Sequence, residues 1–220
     1  MKLKRNTTHP ASWVPSLYFA EALPYMMVMA LSTVMYTNMG LSNTEIALYT
    51  SWLYLPWVIK PLWSPIVDSL KTKRWWVLTM QLLIGAALAG IAFTLPTAMW
   101  FQCTMFFLFV MAFASATHDI SADGFYMIEL DEHNQAKFVG IRNTFYRLAV
   151  IFGNGLLVSF AGVLQVLFRN RIAFTWSLIF YGLAGLFIAL WLYHGVKMPR
   201  PAADVQKDDS VSNVMAGLKT

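Results

Sequence analysis

The residues with chemical potential in this chain are ionisable groups set inside long apolar stretches. Glu21 lies in Phe19-Ala20-Glu21-Ala22-Leu23-Pro24-Tyr25, with no basic residue within a helical turn and with Pro15 and Pro24 on either side. A charge at the centre of a bilayer costs about 2.5–3.5 kcal/mol on insertion scales, so such a group needs a reason to be there. Two readings stand for Glu21. It either titrates a proton or binds a solute in a wet cavity, or it is a structural carboxylate bonded to a neighbouring helix. Asp119 and Asp123 stand at i and i+4 in His118-Asp119-Ile120-Ser121-Ala122-Asp123-Gly124, with Tyr126 at i+7, so all three share one helix face. Paired acids on one face suit proton coupling, a cation site or ion pairs to arginines opposite. Asn143, Arg147 and Asn154 form a polar face of their own, whereas Arg142 points elsewhere and is shallow enough to snorkel. Arg147 is the expected partner of Asp119, or else a bidentate clamp on a substrate carboxylate or phosphate. Lys60 sits in Leu55-Pro56-Trp57-Val58-Ile59-Lys60-Pro61-Leu62-Trp63-Ser64-Pro65. There it serves a site or simply snorkels to the interface. His118 and His133 come with no HExxH and no paired cysteines, so no metal or other cofactor is expected.

The elements that must carry these residues follow from composition. Of 220 residues, 58% are hydrophobic and 12% charged, against roughly 45–50% and 25% in soluble domains. Sixteen basic and eleven acidic side chains are too few to cover a water-exposed exterior. A soluble enzyme, a nucleic-acid binder and a disordered regulator are therefore excluded. The single cysteine, Cys103, leaves no intrachain disulfide. Six stretches reach the roughly 20 apolar residues that a spanning helix needs: Trp13–Met39, Thr44–Val67, Trp75–Leu95, Ala98–Ile128, Phe138–Phe168 and Ile172–Tyr193. None shows the alternation of a barrel strand, so helices are expected. Counted from Ala98, Asp119 falls about 30 Å along its helix, near the cytoplasmic boundary. That position also allows a gate salt bridge to the basic loop, and for Asp123 the structural reading is favoured. Gly85, Ala86, Ala89 and Gly90 should let the third span approach a neighbour closely. Pro56, Pro61 and Pro65 should break the second.

Loop charge sets the expected orientation. Lys2, Lys4 and Arg5 precede the first span, Lys71, Lys73 and Arg74 separate the second and third, and further lysines follow the fourth and sixth. The positive-inside rule then puts both termini in the cytoplasm, with Arg169 and Arg171 as a mild discord. The chain divides into a cytoplasmic segment (1–12), a six-helix bundle (13–193) and a cytoplasmic linker or tail (194–220). The polar tail suits a chain that ends halfway through a larger transporter. The first apolar run is too long for a signal peptide and reads as a retained anchor.

Between the second and third spans the chain reads Ser64-Pro65-Ile66-Val67-Asp68-Ser69-Leu70-Lys71-Thr72-Lys73-Arg74. Asp68, Lys73 and Arg74 match the loop signature of the major facilitator superfamily, G-x-x-x-D-x-x-G-x-[RK]-[RK], with Ser64 and Lys71 in place of its glycines. The run from Lys60 to Asp68 resembles the K-x-x-W-x-P-x-x-D of AmpG-type muropeptide permeases and acetyl-coenzyme A transporters. His118 to Gly124 is similar to their Q-D-I-x-x-D-[GA], with His for Gln, and Tyr146-Arg147 matches their Y-R. The resemblance covers the N-terminal six helices of a longer family. It implies an all-α membrane protein, half of a major facilitator fold built as a 3+3 inverted repeat. A second six-helix half, from the same chain or another subunit, would complete it.

The resemblance further implies proton-driven import of a sugar-peptide fragment across the inner membrane, or movement of an acyl-coenzyme A. It places Lys60, Asp119, Asp123 and Arg147 at the substrate or proton path and Asp68, Lys73 and Arg74 at a cytoplasmic gate. Glu21 has no motif counterpart and rests on physics alone. The expected partners are the lipid bilayer, the second half, a small solute and protons, and no nucleic acid. The rival readings are an accessory or scaffold subunit and, less favoured, an intramembrane transferase.

Overall fold

The computed structural model describes residues 8–169 and 171–204. Among them the chain is helical throughout, with no strand, as expected of an all-α membrane protein. A short turn, Pro10–Ser12, leads into α1 (Val14–Asn38). Pro24 lies inside α1, and the helix widens to π geometry over Met27–Leu31 directly after it. A proline deprives its helix of one hydrogen bond and crowds the preceding turn, and a wider turn relieves both. Gly40, with φ +95°, turns the chain out of α1. Ser42 and Glu45 then form a capping box that starts α2 (Asn43–Ser51).

The second apolar stretch is broken into pieces. Among the described residues five continuous helices are long and apolar enough to cross a membrane, and Thr44–Val67 is not one of them. Instead α2 passes through a 3₁₀ turn at Trp52–Tyr54 into α3 (Leu55–Ile59). A second 3₁₀ turn, Lys60–Leu62, leads to α4 (Ser64–Leu70). Pro56, Pro61 and Pro65 each occupy the first turn of a new piece, the one place in a helix where a missing N–H costs nothing.

The remaining four helices match the sequence reading within a few residues at most ends: α5 (Lys73–Thr94), α6 (Trp100–Glu129), α7 (Glu132–Leu167) and α8 (Ile172–Lys197). Thr72 caps α5 by accepting from Trp75 N at 3.1 Å, and Asp131 caps α7 by accepting from Asn134 N at 2.8 Å. α7 starts six residues earlier than expected because Asp131 caps it there, and it too carries a π segment, Phe152–Leu157.

α5 packs between α6 and α8, and α1 packs on α7 and α6. The small residues of α5 allow this. A Cβ on Gly90 would stand 2.5 Å from the Phe107 ring of α6, and one on Gly85 would stand 3.4 Å from Phe187 Cβ of α8. The larger core joins α1, α5, α6 and α8 around Leu23, Leu88, Met111 and Phe180. A smaller one around Trp13, Tyr18, Phe125 and Phe138 includes Met198. α8 continues to Lys197, and Met198 and Pro199 are buried. The start of the expected linker is therefore docked on the bundle, while residues 205–220 lie outside the described ones. Phe93, Phe106, Val166 and Val196 are among the large apolar side chains on the exterior, as a lipid-facing surface requires.

Candidate functional site

Glu21 is buried, with 7% of its surface exposed, and its Oε2 has no hydrogen-bond partner. It lies within electrostatic reach of Asp119, Asp123, Arg142 and Lys60. Four elements supply this cluster. α1 brings Tyr18 and Glu21 on one face (i, i+3), and α6 brings Asp119 and Asp123 one turn apart. α3 and the turn that follows it bring Trp57 and Lys60, and α7 brings Arg142.

The cluster divides into two ion pairs and one remaining carboxylate. Lys60 Nζ stands 3.8 Å from Asp119 Oδ2, and the Trp57 side chain hydrogen-bonds to the same carboxylate. Arg142 Nη2 stands 2.9 Å from Asp123 Oδ1, which also accepts from Tyr18 O–H at 3.0 Å. The guanidinium lies 4.4 Å over the Tyr18 ring and 5.7 Å from the centre of Tyr126, so two aromatic faces hold it in place. Asp119 and Asp123 thus each have a cation within 4 Å. Glu21 has none among the described residues. Three acids share two bases.

Arg147 does not take the place expected of it. It is exposed on α7 beside the equally exposed Asn143 and Asn154, and among the described residues it pairs with no carboxylate. Asp119 pairs with Lys60 rather than with Arg147 or the basic loop, and the arginine that reaches the acids is Arg142. The two lie five residues apart on one helix, which turns them about 140° from each other, so α7 cannot present both inward. From the Tyr146-Arg147 motif it is Tyr146 that comes within electrostatic reach of Asp119 and Glu21.

The loop residues form a second assembly. Lys73 pairs with Asp68, and on its way it lies against Gly124, where a Cβ would stand 2.7 Å from Lys73 Cε. The glycine that ends the Asp119–Gly124 motif is therefore a slot for the lysine. Arg74 donates from Nη2 to Gly195 O at 2.5 Å and from Nε to Met198 O at 3.3 Å, clasping the end of α8. The Asp204 carboxylate accepts from Lys73 N at 2.6 Å and from Arg74 N at 3.0 Å, neutralising the positive end of α5.

Of a third set of polar residues, the sequence singles out only His118. Gln81 of α5 accepts at Oε1 from His194 Nδ1 of α8 and donates from Nε2 to His118 Nε2 of α6, both at 3.0 Å. Ser16 of α1 meets His194 Nε2 at 2.9 Å. Gln81, His118 and His194 have at most 1% of their surface exposed. A glutamine in the middle of Met80-Gln81-Leu82 was the available signal, since an amide inside a span must find a partner.

A helical membrane protein with charged side chains gathered on inward faces of several spans has the character of a transporter. Comparison with known proteins agrees. The chain belongs to the BT1 family, a transporter family whose sequence model matches residues 23–219. An uncharacterized protein of Schizosaccharomyces pombe is 27% identical over 145 residues, which cover 59% of this chain and 28% of that protein. An uncharacterized protein of Haemophilus influenzae is 28% identical over 183 residues, 79% of this chain and 40% of that one. The chain spans less than half the length of either relative.

Proposed function

We propose that this chain forms the N-terminal six-helix half of a major-facilitator-type secondary transporter, an AmpG-like symporter of the inner membrane with both termini cytoplasmic. It imports a small polar solute together with protons. The observation that carries this reading is Glu21, a buried carboxylate with an unpartnered oxygen beside two acids that already hold a cation each. Protonation of Glu21 balances the cluster at three negative charges, two positive charges and one proton, and loss of that proton upsets the balance. A group in this position couples proton binding to the fit between helices. The broken segment α2–α4 supports the same reading. Interrupted helices at membrane depth occur where they are buried in protein or line a cavity, and they mark binding sites in secondary transporters.

A second half, supplied by the longer chain or by another subunit, closes the cavity against α1, α6 and α7. Asp68, Lys73 and Arg74 hold the cytoplasmic side shut in the outward-open state. Solute binds between the halves at the midplane, and Arg147, exposed on α7, faces that side as a clamp for a solute carboxylate or phosphate. A sugar-peptide fragment of peptidoglycan is the substrate class that the motif resemblance favours.

The test is uptake of a labelled sugar-peptide fragment by cells making the full-length protein, across imposed pH gradients. Glu21→Gln is expected to abolish pH-driven accumulation while exchange of solute for solute continues. pH-dependent accumulation at the unaltered level in Glu21→Gln would remove Glu21 from the coupling site.

A further inference from the structure

Away from the charged cluster, a cavity of about 500 Å³ opens where the start of α5 meets the end of α8. That volume lies within the roughly 300–1,000 Å³ of sites that hold small ligands. Arg74 and Arg200 stand at its polar end, and Trp75, Leu78, Leu82 and Trp191 form its apolar wall. Asp204 also lines it, but its carboxylate is already engaged by the backbone N–H groups of Lys73 and Arg74.

Two features define the ligand. The first is charge. Arg74 and Arg200 are close enough to repel one another. Arg74 spends two N–H groups on carbonyls of the α8 end, which leaves three of the five that a guanidinium carries. Arg200 is exposed and has no carboxylate partner among the described residues. An anion between the two guanidiniums converts a repulsion into two attractions. The second feature is the shape of the wall. Arg74, Leu78 and Leu82 recur every fourth residue, so one helix face runs about 12 Å from a cation directly onto two leucines. Tryptophans flank the junction, the residue type that settles at the membrane–water boundary. A soluble anion uses only the polar end of this cavity, whereas an amphiphile uses both.

We propose that this cavity binds one anionic phospholipid, its phosphate held between Arg74 and Arg200 and an acyl chain laid along Leu78 and Leu82. The lipid bridges the Arg200 segment and the start of α5 and so ties the chain that follows α8 to the bundle. Its binding is independent of solute transport.

The full-length protein, purified in mild detergent, is titrated with phosphatidylglycerol or with phosphatidylcholine of the same acyl chains, and bound lipid is counted by native mass spectrometry. Wild type is expected to retain one phosphatidylglycerol about thirtyfold more tightly than phosphatidylcholine, as two basic residues at about 1 kcal/mol each would give. Arg200→Gln should reduce that preference about fivefold, the share of one basic residue. Arg200→Lys should restore most of it. Arg171→Gln, at the other end of α8, should leave it unchanged. Equal binding of the two lipids by wild type, or an undiminished preference in Arg200→Gln, would overturn the proposal. So would release of the lipid by millimolar inorganic phosphate, which would make the site one for a soluble anion.

Discussion

Two polar clusters meet at adjacent residues of α6 and differ in kind. His118 faces a neutral network with Gln81, His194 and Ser16, which joins α6, α5, α8 and α1. Asp119 faces the charged cluster with Lys60, Trp57 and Glu21, which joins α6 to the broken segment and α1 and, through Asp123, to α7. In the neutral network no group needs a counter-ion, and its histidines and glutamine are completely buried. In the charged one, two ion pairs are partly open to solvent and Glu21 lacks a cation. The first ties together the four helices that make the larger core. The second lies on the elements least able to hold themselves rigid, a chain of proline-broken pieces and α7, most of whose surface is exposed. One cluster fastens the bundle, and the other is the one to which the proposed function assigns the proton.

Substitutions that exchange these characters test the contrast. The largest effect is expected from Glu21→Gln, which should reduce pH-driven uptake by the full-length protein by about a hundredfold or more, the lower end of what a positioned proton-transferring group contributes. Its thermal midpoint in detergent should not fall, because a neutral amide replaces an unpaired carboxylate. Gln81→Leu should show the reverse pattern. It strands one nitrogen on each of two buried histidines, at about 1–3 kcal/mol each, so the thermal midpoint should drop while the pH dependence of residual uptake is kept.

Intermediate effects belong to the loop and the ion pairs. Gly124→Val puts a branched side chain into the Lys73 slot. It should cost about 1–3 kcal/mol through overpacking and weaken the Lys73–Asp68 pair, which is read as faster proteolysis at the α4–α5 loop. Arg142→Ala removes the cation from Asp123 and the guanidinium from between two tyrosine rings. Both partners are partly exposed, so the cost should be about 1–2 kcal/mol rather than that of a fully buried pair. Arg147→Ala should change stability by no more than about 0.5 kcal/mol, as for an exposed side chain without partners. If Arg147→Ala destabilises the protein more than Arg142→Ala, the assignment of the two arginines is reversed.

Much of the architecture was legible in the residues. Hydropathy located the five continuous helices, because a span must be apolar along its whole length. Pro56, Pro61 and Pro65 marked the place where a sixth could not be continuous, and Gly85 and Gly90 marked the close contacts of α5. The pairing of Asp119 and Asp123 on one face followed from helix periodicity alone. Choosing between Arg142 and Arg147 did not. Depth along the helix favoured Arg147, but the choice is made by rings of Tyr18 and Tyr126 on two other helices, and a cross-helix contact leaves no trace in a local pattern. The same holds for Asp204, which reaches back to the start of α5, and for Lys73, whose path along Gly124 joins segments fifty residues apart. Gln81 is a different case. It stood alone among apolar neighbours, and the rule that brought Glu21 forward applies to a buried amide as well.

The most direct measurement follows protons rather than solute. The full-length protein is reconstituted in liposomes that enclose a pH-sensitive dye, a sugar-peptide fragment of peptidoglycan is added outside, and proton entry and solute entry are recorded together. Wild type should admit protons in step with solute, and Glu21→Gln should admit solute down its gradient with no accompanying proton. Equal proton entry in the two would contradict the assignment of Glu21 as the group that couples them.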